Sequence, residues 1–179
     1  MVFIRLKQRT NLNGNEYLYA YLVKNEWKKR SKRVKQHGNK YLGRVYKIDL
    51  MRSMSFKDFV GDENYFEKKE VVDIFKNLII LELWKFGFTR IKKNIWSNGF
   101  FTVNLKYNLV RGQRKEDVVL VMSEGFLCSW SLNRLGRFRE SRDFGKGGVK
   151  LAKMLKLCGI DLEPDIFVKL YGKISGEKT

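Results

Sequence analysis

The hydrophobic and polar positions at the start of the chain follow a period of two. Val2, Ile4 and Leu6 alternate with Phe3, Arg5 and Lys7, the pattern of a strand with one face covered. Asn11-Leu-Asn-Gly-Asn15 is a turn signal, because Asn and Gly tolerate positive φ. From Tyr17 to Val23 both faces are apolar, with Tyr17, Tyr19, Tyr21 and Val23 on one and Leu18, Ala20 and Leu22 on the other. One face is expected to cover a core; the pattern leaves open whether the tyrosines pack or stand free to stack. Residues 24–32 read as a polar connection, and Arg33 to Ile48 as a third strand interrupted near Gly38-Asn39. The expectation is a three-stranded antiparallel meander.

Residues 49–63 mark a boundary, with a short helix around Ser55 to Val60. Phe66, Val72, Phe75, Ile79 and Leu83 then recur at helical spacing, with acids clustered at the start, which predicts one long helix from Tyr65 to Phe86 stopped by Gly87. Leu78-Ile-Ile-Leu81 is apolar nearly all round, so this helix should be the most buried element of the second region. From Ile91 the period returns to two. Ile95-Trp96, the turn Ser97-Asn-Gly99 and Phe101 to Leu105 read as a hairpin, Arg111 to Glu116 as another turn, and Val118 to Met122 as a β-branched strand. Residues 126–132 fit either a continued sheet or a helix. Asn133 to Gly148 is rich in Arg and Gly and reads as a surface loop. Val149 to Cys158 and Pro164 to Tyr171 read as two closing helices, and the tail from Ser175 to Thr179 should fray.

These elements predict an α+β protein: an N-terminal three-stranded antiparallel basic meander, then a long helix packed on a small antiparallel sheet with two C-terminal helices. The meander module spans residues 1–52 and the α+β region 62–174, as two units or one continuous domain. With 44% hydrophobic residues there is material for a core, which excludes wholesale disorder.

Charge changes the picture. The formal net charge is +18 and the isoelectric point about 10.0, an excess that points to an anionic partner. Residues 1–52 hold 14 Lys/Arg against Glu16, Glu26 and Asp49, a net of +11, and the remaining 127 residues hold only +7. A uniform compositional bias would not concentrate charge in this way, so a dedicated basic module is expected at the N-terminus. Between Lys24 and Lys47 ten Lys/Arg face one acid, Glu26. Here Lys24, Lys28, Lys29, Arg30, Lys32, Arg33, Lys35, Lys40 and Arg44 are candidates for phosphates, and Tyr17, Tyr19, Tyr21, Trp27, Tyr41 or Tyr46 for bases or sugars, with Tyr19, Tyr21 and Trp27 foremost. The bland alternative is a solvated turn, with the tyrosines covering a core.

A second basic stretch carries Arg134, Arg137, Arg139, Arg142 and Lys146; its arginines, Arg137, Arg139 and Arg142 above all, could grip phosphates in forked geometry. Glu140 and Asp143 partly neutralise it. Gly145-Lys146-Gly147-Gly148 lacks both the spacing and the hydroxyl of a phosphate-binding P-loop. Lys150, Lys153 and Lys156 form a stripe on the first closing helix, opposite Val149, Ala152 and Leu155. The closing pair lacks the short turn and base-reading side chains of a helix-turn-helix, so packing helices are expected.

Catalytic chemistry finds little support. The order of helix, hairpin, strand and helix superficially follows a restriction-type nuclease, but the strands offer Asn104-Leu-Lys106 and Val119-Leu-Val-Met122, with no carboxylate pair for magnesium. Glu82, Asp117 and Glu124 could converge only by folding assumptions that the sequence does not support. Two cysteines far apart and the single histidine, His37, cannot assemble a zinc site of ordinary ligand count, and His37 has no nearby nucleophile or orienting acid for a Ser/His/Asp arrangement. The expectation is a non-enzyme without metal or cofactor. Cys128 and Cys158 sit in apolar runs, as buried free thiols do. The start lacks a signal peptide's apolar stretch and no apolar run approaches ~18 residues, so a cytoplasmic setting and no membrane partner are expected.

The succession FIRLK, EYLYAYLVKNEW and KRVKQHGNKYLGRVY, over about residues 3–46, resembles a β-hairpin module of two groups. One is the N-terminal end of certain insertion-sequence transposases of the DDE class; the other is a set of small, basic archaeal proteins. The DDE carboxylates have no counterpart here, so the resemblance implies a DNA- or RNA-contacting module and no transposase activity. Leu42 and Gly43 match its Y-L-G element, with a structural role implied.

The expected function is non-enzymatic nucleic-acid binding, mainly through phosphates with base stacking left open, and with RNA slightly favoured over DNA because aromatic sheet surfaces suit unstacked bases. The alternative is an assembly subunit that docks an acidic protein or a ribonucleoprotein, and the third reading is a metal-dependent phosphodiesterase or nuclease.

Overall fold

A computed structural model of the chain describes residues 2–28, 32–138 and 147–176, and only the backbone of Lys28, His37 and Asn39. Strands β1 (Val2–Thr10), β2 (Glu16–Lys28) and β3 (Arg33–Lys47) pair antiparallel in chain order. Asn11 closes the first turn, its side-chain oxygen accepting the backbone N–H groups of Asn13 at 3.0 Å and Asn15 at 2.9 Å. Strand β2 continues to Lys28, where the polar pattern after Val23 suggests a connection. Cross-strand partners hold this extension: Glu26 stands opposite Lys35 and Trp27 opposite Val34. Since β1 reaches only as far as Lys24, residues beyond it form a two-stranded ribbon.

Helix α1 (Phe56–Val60) is capped by Ser55, whose Oγ accepts the Asp58 N–H at 3.1 Å. The segment expected as one long helix is two, α2 (Tyr65–Lys68) and α3 (Val71–Lys85). Extended backbone at Lys69 and Glu70, with ψ of 144° and 149°, breaks it. The break lets Tyr65 and Phe66 turn onto Phe56, with ring centroids 5.6 and 5.9 Å away. Helix α3 buries Ile74, Phe75, Leu78, Ile79, Leu81 and Leu83, whereas Val72 stays exposed.

Strands β4 (Thr89–Lys92), β5 (Ile95–Ser97), β6 (Phe101–Asn104) and β7 (Leu109–Gly112) form an antiparallel four-stranded sheet. Strand β8 (Val118–Met122) leaves it and lies parallel to β3, with Arg44 opposite Val118 and Tyr46 opposite Leu120. Strand β9 (Gly125–Leu127) follows antiparallel, completing a five-stranded sheet in the order β1-β2-β3-β8-β9. The ambiguous stretch 126–132 therefore divides between β9 and helix α4 (Ser129–Gly136). Buried Ser131 holds that junction, donating to the Phe126 carbonyl at 2.7 Å and accepting the Cys128 N–H at 2.9 Å. Helices α5 (Gly147–Leu157) and α6 (Pro164–Ser175) close an α+β fold of mostly antiparallel sheets. On α5 Gly147, Leu151 and Leu155 are buried, whereas Val149 and Ala152 are exposed. Among the described residues no helix is long and apolar enough to cross a membrane.

The main core joins α3, α5 and α6 to β6, β7 and one face of β8, through Val118, Leu120 and Met122. A smaller core on the other face gathers Ala20, Leu42, Val45, Val119 and Cys128, with Trp130 packed on it. Gly43 makes the β3–β8 approach possible. Its φ is +142°, and a Cβ there would run into the Asp117 carbonyl and lie 2.8 Å from the Val118 Cα.

Candidate functional site

By the alternation of β2, Tyr17, Tyr19, Tyr21, Val23, Asn25 and Trp27 share one face, on which Val23 is buried. The β1 register sets Arg5 opposite Tyr21, Lys7 opposite Tyr19 and Arg9 opposite Tyr17. On the other flank Tyr41 stands opposite Tyr21 and Arg44 opposite Tyr19. This face therefore carries four cations from β1 and β3 and no carboxylate. The rings are not a covered layer: Tyr17, Tyr19, Tyr21 and Tyr46 are half-buried and Tyr41 is 52% exposed.

Cations and rings interleave at contact distance. The Arg44 guanidinium lies 4.0 Å from the Tyr17 centroid and 5.1 Å from that of Tyr46, which holds it between the two rings. Lys7 Nζ lies 5.0 Å from the Tyr21 centroid and the Arg9 guanidinium 5.9 Å from that of Tyr19. Tyr41 sits 5.6 Å from Tyr21 and 6.2 Å from Tyr19. At the near edge Arg5 donates to the Gln36 side chain at 3.4 Å, which ties the sheet to the ribbon. Burial, then the neighbouring phenols Tyr19, Tyr21 and Tyr46, push the Tyr41 hydroxyl above its ordinary value, with Arg44 opposing. The phenol is thus neutral at physiological pH and offers an anion no repulsion.

Not all the cations expected here share that face. Lys40 stands opposite Leu22 and Lys35 opposite Glu26, so Lys24, Lys35, Lys40 and Arg33 lie on the other side, with Glu16 and Glu26. The reason is a bulge in β3: between Ala20 and Tyr21 the partner jumps from Gly43 to Tyr41, leaving Leu42 as an extra residue. Arg44 and Lys40, four apart, would share a face in a regular strand and are separated here. A second jump, at Gly38, lies between the partners of Val23 and Lys24. Trp27, 58% exposed, continues the tyrosine face onto the ribbon. Lys32 is exposed in the turn. Lys29, Arg30, Arg139, Arg142, Glu140, Asp143 and Lys146 lie outside the described residues, as do the side chains of Lys28 and His37 and residues 177–179.

Arg137 ends α4 and is exposed, but it does not join the tyrosines. It borders a separate cleft with Arg134, Lys150 and Lys153, walled by Trp130 on the side of the small core. Conversely, residues that drew no attention in the sequence complete the aromatic face. Arg5, Lys7 and Arg9 were legible only as the polar half of a strand, and their pairing with the tyrosines is a matter of register. Beyond Tyr46 the face ends in a shallow cleft of about 320 Å³, bounded by Arg44, Tyr46, Phe100, Phe101, Arg114 and Glu116. Phe101 packs on Tyr46 at 4.9 Å between centroids, and Phe100 is 66% exposed at the tip of the β5–β6 turn. An exposed Phe beside an Asn-Gly turn was the one available signal for it.

The carboxylates that a phosphodiesterase would need are dispersed. Glu82 is buried on α3, 3.0 Å from Lys85; Asp117 pairs with Arg111 at 3.5 Å, and Glu124 with Lys156 at 2.5 Å. Among the described residues no three His, Cys, Asp or Glu side chains gather where they could hold a metal ion. Both cysteines are buried and unbridged, and burial pushes the Cys158 thiol up to about 12. Comparison of the chain with known protein families, characterised proteins and solved structures gave no match.

Proposed function

We propose that the protein binds single-stranded nucleic acid across the open face of the five-stranded sheet, with RNA slightly favoured over DNA, and without catalysing a reaction on it. One observation carries the reading: Tyr17, Tyr19, Tyr21 and Tyr41 alternate with Lys7, Arg9 and Arg44 on a solvent-facing sheet surface free of carboxylates. A single strand presents a line of phosphates and a line of unstacked rings, and a surface of alternating cations and flat rings meets both. A duplex hides its bases and offers such a surface only its phosphates. The net charge of +18 supports the reading through long-range attraction, which any polyanion would feel. Arg44 is oriented in advance by its two rings, so little side-chain freedom is lost when its N–H groups meet a phosphate.

The test is equilibrium binding of single- and double-stranded RNA and DNA, about 15 nucleotides or pairs long, at several salt concentrations. Each neutralised phosphate of a single strand adds about 0.7 to the slope of log affinity against log salt. Engagement of Arg5, Lys7, Arg9 and Arg44 therefore gives a slope near −2.8, roughly a fiftyfold loss from 50 to 200 mM salt. Single strands are expected to bind more tightly than duplexes of the same sequence. A slope near zero, or duplexes bound as tightly as single strands, refutes the stacking surface. Cut product after magnesium is added in the same reactions would refute the non-catalytic part.

A further inference from the structure

The cleft at the end of the tyrosine face differs from the rest of that surface in holding one carboxylate. Glu116 follows the turn after β7, where the Gly112 N–H donates to the Glu116 carbonyl at 3.0 Å and the Lys115 N–H to the Gly112 carbonyl at 3.0 Å. Its carboxylate rests directly on the Gly112 backbone: a Cβ at that glycine would lie 2.6 Å from the Glu116 carboxyl carbon and 3.0 Å from Oε2. The absence of a side chain at position 112 is thus what seats the carboxylate in the cleft. The next residue, Asp117, is paired with Arg111, but none of the ion pairs among the described residues involves Glu116. An anionic group on a polyanion-binding surface opposes that binding unless it accepts something specific.

We propose that this cleft is a base-reading subsite for guanine, with the base against the exposed Phe100 ring and its Watson–Crick edge donating two hydrogen bonds to Glu116. The assignment rests on the single-strand reading above. Its chemistry comes from what the four bases offer a carboxylate. Guanine presents two adjacent donors, N1–H and the exocyclic amine. Adenine and cytosine pair one amine donor with a ring nitrogen whose lone pair repels the carboxylate, and uracil sets its N–H between two carbonyls. On the remaining edge guanine's O6 and N7 are acceptors, which suits the guanidinium group of Arg114 in the same cleft. Phe100 supplies an exposed flat surface at the point where the base would leave the strand.

The test compares U12 RNA, the same oligomer with one central guanine, and the same with inosine, which keeps N1–H and lacks the amine. For the wild type the guanine oligomer is expected to bind on the order of tenfold more tightly than U12, with inosine between them. In Glu116→Gln the guanine and uracil oligomers should bind within about twofold of each other, because the bidentate acceptor is gone. Gly112→Ala reaches the same end by another route, since the new methyl displaces an intact carboxylate; circular dichroism establishes that each variant is folded. Equal wild-type affinity for U12 and the guanine oligomer, or a guanine preference that survives both substitutions, overturns the subsite while leaving single-strand binding intact. Failure of every oligomer to bind overturns the underlying reading instead.

Discussion

Two variants of equal charge test which side of the hairpin meets the ligand. One replaces Arg5, Lys7 and Arg9 with Gln on the tyrosine face; the other replaces Lys24, Lys35 and Lys40 on the opposite face. Each lowers the net charge from +18 to +15, three charges lost, so any effect of overall charge is the same in both. If all three cations of the first set meet phosphates, the salt slope for a single strand shrinks by about 2 and affinity near 0.1 M salt falls on the order of a hundredfold. For the second set the slope should change by less than about 0.5 and affinity by less than about threefold. Fluorescence anisotropy over a salt series measures both, and thermal melts establish that the folds are equivalent. Equal losses in the two variants, or the larger loss in the Lys24 set, would show that local charge density and not the aromatic face governs binding, and the geometric reading would be wrong.

Tyr41→Ala removes the most exposed tyrosine of the face, and its expected effect is a loss of about 1–3 kcal/mol in single-strand binding with little change in melting temperature; unchanged affinity by anisotropy rules that ring out as a stacking surface. Gly43→Ala should destabilise by at least about 2 kcal/mol, since its Cβ meets the β8 backbone at a φ that L residues rarely adopt, and a melt within about 2 °C of wild type contradicts this. Glu82 offers a test by pH. Burial raises its carboxyl above the ordinary value, against the lowering effect of Lys85, so the group holds its proton more readily in the folded protein than in the unfolded chain. Stability from this group is then present below the ordinary carboxylate value and lost as pH rises through the elevated one. The stability of Glu82→Gln relative to wild type should therefore grow over that window and level off above it. A flat or inverted difference between their melts from pH 4 to 8 refutes the assignment.

Local patterns found most element positions, because they carry their own determinants. The alternation of Val2, Ile4 and Leu6, the Asn11 turn, the stop at Gly87, and Pro164 at the start of the last helix each act within a few residues. What stayed hidden depends on partners far along the chain. The strand character of residues 24–28 comes from pairing with Arg33 to His37, not from hydrophobicity. The break at Lys69 comes from an aromatic cluster with Phe56 that no helical period records. In the site, the abundance of cations was plain in the composition, yet their division between two faces turns on one extra residue at Leu42. Tyr17, Tyr19 and Tyr21 sat on a strand apolar on both sides; Ala20 and Leu22 took the small core, which left the tyrosines facing out. Phe100, Arg114 and Glu116 reach the site only because β8 crosses to β3.

That crossing also governs how the chain must be assembled. Arg44 pairs with Val118, 74 positions later, and the apolar side of the N-terminal hairpins is roofed by Val119, Cys128 and Trp130. Until those residues arrive, Ala20, Leu42 and Val45 face water. A fragment ending near residue 52 would therefore keep its cations but not its architecture. Folding rate should reflect this long-range closure more than the local propensity of the hairpins. Synthesis from the N-terminus, too, makes the charged strands before their cover, so the aromatic surface gains its rigidity only once Trp130 has been added.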